Sequence, residues 1–200
     1  MKKIIFIYII SIQILNAQEN TFGVSLNPIR FIVNTYESQS YSGTLSYFNT
    51  LNHVEIAMPI VYVNDKDTMS EYDGYIPSEK VITIDLQYKK YITKKRDLTG
   101  LFFGVFTRYN YIKGKARKSS FFIASQHKFG IGLLGGVQTK VISIENLDLY
   151  WGLNLSLGIY LNKENNVFDL SSSTPSNIGV YYDDQQYIID LELLKFSIRF

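Results

Sequence analysis

No cysteine occurs among the 200 residues. Disulfides, thiolate metal sites, a cysteine nucleophile and a lipid-modified cysteine are therefore excluded. Histidine occurs twice, as His53 and His127. An excess of one charge is also lacking: 20 Lys and Arg stand against 18 Asp and Glu. Lys2 and Lys3 lie in a segment expected to be removed, and without them the balance is 18 against 18. Nucleic-acid affinity rests on surplus positive charge, so no nucleic-acid partner is expected. After the first segment, no apolar run approaches the roughly 20 residues that a membrane-spanning helix needs. What the chain does contain is 46% apolar and 15% aromatic residues, the latter nearly all Tyr (16) and Phe (13). A chain this apolar and only 19% charged folds rather than staying disordered, and its length suits one domain.

Residues 1–17 begin with Lys2-Lys3, continue as an apolar run from Ile4 to Leu15 and end in Asn16-Ala17. A charged start, a short apolar middle and a small residue at the cut mark a secretory signal peptide. The run is about 12 residues, too short to serve as a spanning anchor. Cleavage is expected after Ala17, leaving residues 18–200 as one domain.

That domain alternates. From Leu149 to Leu161 one side carries Leu149, Trp151, Leu153, Leu155, Leu157, Ile159 and Leu161, and the other Tyr150, Gly152, Asn154, Ser156, Gly158 and Tyr160. A period of two over this length is a strand signature. The same period recurs along the chain and predicts eight strands, at about 21–34, 40–49, 53–64, 80–92, 99–113, 120–142, 147–162 and 186–200. Two of them change phase midway: Val24 and Leu26 give way to Ile29, Phe31 and Val33, and Ile189 and Leu191 give way to Leu194, Phe196, Ile198 and Phe200. A β-bulge produces such a shift, because one inserted residue reverses the facing of all that follow. From the second strand on, short and longer connections alternate. That is the habit of an up-and-down transmembrane barrel with short periplasmic turns and longer outer loops. The expected fold is all-β, an eight-stranded antiparallel barrel in the outer membrane.

Alternation alone also fits a soluble lipocalin-like barrel, which turns its apolar face inward. Side-chain size favours the membrane form. The polar face is rich in Gly, Ser, Thr and Asn, whereas the apolar face is nearly all large, and an eight-stranded interior is only wide enough to be filled by side chains. Glu55, Asp85, Arg108, Lys128, Asp190, Glu192, Lys195 and Arg199 all fall on the polar face and are expected to pair inside the lumen. A Lys or Arg facing lipid at the midplane would cost about 2–4 kcal/mol. Tyr47, Tyr88, Tyr91, Trp151 and Phe200 are placed at the periplasmic rim and Tyr62, Tyr109, Tyr111 and Tyr187 at the outer rim, as aromatic girdles.

The chain closes on Leu194-Lys195-Phe196-Ser197-Ile198-Arg199-Phe200. Apolar residues at every second position before a terminal Phe resemble the C-terminal assembly signal of Gram-negative outer-membrane barrels, with Leu194, Phe196, Ile198 and Phe200 as its elements. Together with the leader segment and the eight strands, residues 19–200 resemble the small OmpA-, OmpX- and OmpW-like barrels. That resemblance implies recognition by the barrel-insertion machinery, residence among outer-membrane lipid and lipopolysaccharide, and no cofactor. It diagnoses no activity.

Candidate chemistry is sparse. His127 stands in Gln126-His127-Lys128-Phe129. Lipid A deacylases of this architecture use a strand His with a Ser two residues later, and Phe129 occupies that place here. An outer-rim lipid-modifying enzyme with His127 as base therefore stays an alternative to a non-enzymatic barrel, and His53 is read as a turn residue. Asp65, Asp67, Glu71 and Asp73 cluster in one loop without the EF-hand order, so no metal is expected there. Lys113, Lys115, Arg117 and Lys118 gather at a hairpin tip, where contact with lipopolysaccharide phosphates is expected.

Overall fold

A computed structural model describes residues 20–28, 38–66, 78–93, 97–115, 122–144, 147–169 and 185–199. Eight strands follow in chain order: β1 (Asn20–Leu26), β2 (Ser38–Asn49), β3 (Val54–Lys66), β4 (Ser78–Tyr91), β5 (Gly100–Lys115), β6 (Phe122–Ile144), β7 (Leu147–Asp169) and β8 (Tyr187–Arg199). Each pairs antiparallel with the next, and β1 pairs with β8, closing the sheet into a barrel. The expected fold class is thus the observed one. Both ends of the described chain, the connection 50–53 and the strand ends joined by 92–99 and 145–146 lie at one end of the barrel, here the turn end. The strand ends joined by the longer connections lie at the other, the loop end.

The apolar side of each ribbon points away from the axis. Leu45, Ile56, Leu86, Val105, Leu133, Leu157 and Ile189 are all exposed, although each lies within a strand of the ring. Such a band could not stay in water, where monomers rarely show contiguous apolar patches beyond a few hundred Å². The opposite side carries Ser25, Thr44, Glu55, Asp85, Gln126, Asn154 and Ser197, all buried. This is the orientation of a transmembrane β-barrel.

The phase change expected in the last strand is a bulge. Gly152 pairs with Lys195 and Asn154 with Glu192, so two residues of β8 stand opposite Leu153. The phase change around Pro28 falls on residues 29–33, outside the described residues. Two further bulges were not foreseen. Lys140 pairs with Tyr150 but Ile142 with Leu149, leaving Val141 over. Gly130 pairs with Tyr160 but Phe129 with Asn162, leaving Leu161 over. Because Leu161 is absorbed without ending the ladder, β7 runs on to Asp169 instead of stopping near residue 162.

The lumen is also more apolar than small polar residues alone would make it. Phe48, Tyr91, Leu98, Phe102, Phe106, Leu134 and Ile188 form a buried cluster inside the ring. Glycines make the room. A Cβ on Gly132 would stand 2.5 Å from Phe106 Cε1 and 2.3 Å from the Leu157 carbonyl oxygen, and one on Gly136 would stand 2.6 Å from Phe102 Cζ. The glycine-rich stretch of β6 is the flat floor on which two phenyl rings of β5 lie.

Candidate functional site

Every lumen charge expected from the alternation faces inward, and the register decides who meets whom. Near the turn end, Glu55 on β3 is the direct cross-strand neighbour of Lys89 on β4. Lys89 Nζ donates to Glu55 Oε1 at 3.2 Å, Ser46 Oγ donates to the same oxygen at 3.0 Å, and Tyr91 Oη donates to Glu55 Oε2 at 2.6 Å. Lys195 Nζ stands 3.8 Å from Glu55 Oε1. A carboxylate with this many donors is tolerated without solvent, whereas a bare one is not. Lys89 was not among the expected lumen charges, although its odd-numbered place beside Asp85 and Gln87 carried the signal. Tyr91, expected at the periplasmic rim, instead points into the lumen with 2% exposure. Its parity is that of Asp85, so the correction follows from the same alternation.

Half-way along, Arg108 on β5 faces Asp85 on β4 in register. Arg108 Nε and Nη2 donate to the two Asp85 carboxylate oxygens at 2.8 Å each, and Nη2 also reaches Asp190 Oδ2 on β8 at 3.0 Å. The fork geometry of the guanidinium suits two oxygens at once, and the triad ties two walls of the barrel together. A cavity of about 20 Å³ lined by Ser42, Thr44, Asp85, Arg108, Asn154 and Glu192 lies beside it, about the space of one water. Closer to the loop end, Lys128 is buried, lies over the Tyr160 ring and donates to the Gln185 carbonyl at 3.2 Å.

The turn end holds a contact that the sequence does not announce. Arg199 lies between two rings, 3.9 Å from the Phe48 centroid and 3.7 Å from that of Tyr150. Its Nη1 donates to the Asp97 carbonyl at 2.6 Å. That carbonyl belongs to the β4–β5 turn, where Thr99 donates its amide and hydroxyl to Asp97 Oδ1 at 3.3 and 2.8 Å. Leu98, between them, has φ +51° and is fully buried in the lumen cluster. A branched side chain held in the left-handed region is strained; here burial of the leucine offsets that cost. Read from sequence, residues 93–98 are a short periplasmic turn between the predicted strands 80–92 and 99–113.

Outside the ring, His127 faces away from the lumen. Tyr109 Oη and His127 Nδ1 are 2.7 Å apart, and the Tyr111 ring centroid lies 4.9 Å from that of His127. Phe129 adds a ring 5.0 Å from Tyr109. Lys113 is exposed at the loop end of β5. Lys115 is placed by its backbone alone, and Arg117 and Lys118 lie outside the described residues. So do residues 1–19, Asp67, Glu71, Asp73 and Phe200, while of Leu194 only the backbone is described. Phe196 and Ile198 point outward. His53 occupies its turn with φ +51°.

A closed antiparallel ring that turns its apolar face outward and locks its charges inside defines the class: a transmembrane β-barrel of eight strands. No family model matches the sequence, and no curated protein matches it. Among solved structures, the chain is similar to the crystal structure of a major outer membrane protein from Thermus thermophilus, at 13% identity and a TM-score of 0.44, over 91% of this chain and 98% of that one.

Proposed function

We propose that residues 18–200 form a non-enzymatic integral outer-membrane barrel with a blocked lumen. It is exported by a cleaved leader over residues 1–17 and serves envelope integrity or surface recognition through its loop end. The observation that carries this reading is the sorting of side chains: large apolar groups all round the outside, and charges in mutual contact within. A soluble barrel holding an apolar ligand requires the reverse. The terminal run Leu194, Phe196, Ile198 and Phe200 supports delivery by the barrel-insertion machinery, and the architecture resembles that of the small OmpA-, OmpX- and OmpW-like barrels. Lys113, Lys115, Arg117 and Lys118 are the candidates for contact with lipopolysaccharide phosphates. Neither a cofactor nor a nucleic-acid partner enters this reading.

The lumen argues for closure rather than conduction. Three layers, Arg199 between Phe48 and Tyr150, Glu55 with Lys89, and Arg108 with Asp85 and Asp190, cross the interior in succession. Eight-stranded barrels enclose only enough space for side chains, and open aqueous channels belong to larger ones.

Fractionation tests location: the protein is expected in the membrane fraction, released by detergent and migrating differently on gels before and after boiling. Recovery in detergent-free buffer would overturn the reading. Planar-bilayer recording tests closure, with only background conductance expected from the purified protein.

A further inference from the structure

The bulge at Leu161 changes what the outer wall displays. Without it, the outward residues of β7 beyond Ile159 would be Leu161 and Lys163. With it, Asn162 stands beside Phe129 and Glu164 beside His127. Bulges are a common means of re-aiming side chains. Read across β5, β6 and β7 from mid-barrel toward the loop end, the outward face then runs in rungs. Val105, Leu133 and Leu157 form the first, Thr107, Ile131 and Ile159 the second, Tyr109, Phe129 and Asn162 the third, and Tyr111, His127 and Glu164 the fourth, with Lys113 above. From Leu101 at the turn end to Tyr111 is ten residues. At about 3.3 Å per residue and a tilt near 40° this is roughly 25 Å of height, the thickness of the apolar band of such barrels. The fourth rung therefore sits where acyl chains give way to headgroups.

We propose that the third and fourth rungs bind the saccharide headgroup of a glycolipid whose acyl chains lie down the two apolar rungs. The inference rests on the transmembrane reading above. Ring faces at Tyr111 and Phe129 suit the apolar face of a sugar. Asn162 and Glu164, both exposed, and His127 offer amide, carboxylate and imidazole groups to its hydroxyls. Tyr109 Oη and His127 Nδ1 lie 2.7 Å apart, a hydrogen bond that fixes the ring and leaves Nε2 as the atom to meet a ligand. A phosphate is disfavoured at this rung because Glu164 would repel it. The nearest outward cation on these strands, Lys113, is one rung higher and would serve an acidic substituent rather than the ring.

The test is native mass spectrometry of the purified full chain with equal amounts of monoglucosyl diacylglycerol, phosphatidylglycerol and phosphatidylethanolamine of matched acyl chains. The glucosyl lipid is expected to form adducts in about tenfold preference, the worth of one or two charge-assisted hydrogen bonds. Glu164→Gln and His127→Ala each abolish most of that preference, whereas Tyr62→Ala, outward on β3 and three strands round the ring, keeps it. Heat-modifiable migration verifies that each variant is folded, and Glu164→Gln preserves shape if His127→Ala does not fold. Equal adducts from all three lipids, or preference for phosphatidylglycerol, overturn the proposal while the barrel still inserts into vesicles. A wild-type chain that fails to insert overturns the transmembrane reading itself.

Discussion

Glu55 and Lys89 face each other across the β3–β4 ladder, 3.2 Å apart, with neither side chain more than 2% exposed. The pair owes its place to parity: both are odd-numbered on neighbouring strands whose odd residues turn inward. Glu55→Leu leaves the Lys89 and Lys195 ammoniums buried without their carboxylate. We expect a loss of about 3–5 kcal/mol, read as an earlier urea midpoint for unfolding from lipid vesicles. The double variant Glu55→Leu/Lys89→Met recovers much of it, because an apolar pair replaces an ionic one. A double variant no more stable than the single one would show that Lys89 is not the partner that matters.

Leu98 belongs to the β4–β5 turn yet packs into the buried cluster inside the ring. Leu98→Ala keeps the backbone but removes buried methyl groups from the cluster with Phe48, Tyr91 and Phe102. A cost of about 2–5 kcal/mol follows from loss of burial and the cavity left behind. A change no greater than that of an exposed turn substitution would place Leu98 outside the lumen.

Gly132 supports the Phe106 ring. Gly132→Val introduces carbon atoms where even a Cβ would meet Phe106 and the Leu157 carbonyl oxygen. Because the second clash is with backbone, a rotamer change cannot relieve it. Folding yield into detergent, scored by the heat-modifiable band, is expected to fall by more than half, against little change for Gly43→Ala, whose added Cβ meets nothing nearer than 3.9 Å. Equal yields for the two would refute the packing role.

The absence of native cysteine makes orientation directly measurable. In single-cysteine variants reconstituted into vesicles, Leu133→Cys and Leu157→Cys are expected to react with a bilayer-partitioning maleimide, and Ser156→Cys is not. At Glu164→Cys a water-soluble maleimide is expected to react. Deleting Leu161 removes the bulged residue but keeps Asn162 opposite Phe129 and Glu164 opposite His127, so labelling there is expected to persist. Lost labelling would mean that the ladder slips elsewhere.

How much of this was legible in the sequence depends on the range of the cause. Alternation is a property of neighbours two apart, so strand number, inward charges such as Asp85 and Arg108, and the phase change near Leu193 could be read directly. Tyr91 and Lys89 share the parity of Asp85, but an aromatic near a strand end also reads as a girdle residue, and only the ring shows which cause prevails. The bulges at Val141 and Leu161 leave little local mark, since apolar residues follow one another there with no break in strand character.

Residue order alone determined that the chain makes ribbons with one apolar and one polar side, because facing follows from the two-residue period of an extended backbone. Which inward groups meet was settled only by closure of the ring. Register across β3–β4 and β4–β5 sets Glu55 against Lys89 and Arg108 against Asp85, and curvature brings Asp190 to Arg108 from β8. The same closure carries Arg199, at the far end of the chain, between Phe48 and Tyr150 and onto the Asp97 carbonyl. Those contacts join residues up to 151 positions apart (Phe48 to Arg199), and no local pattern encodes such a meeting.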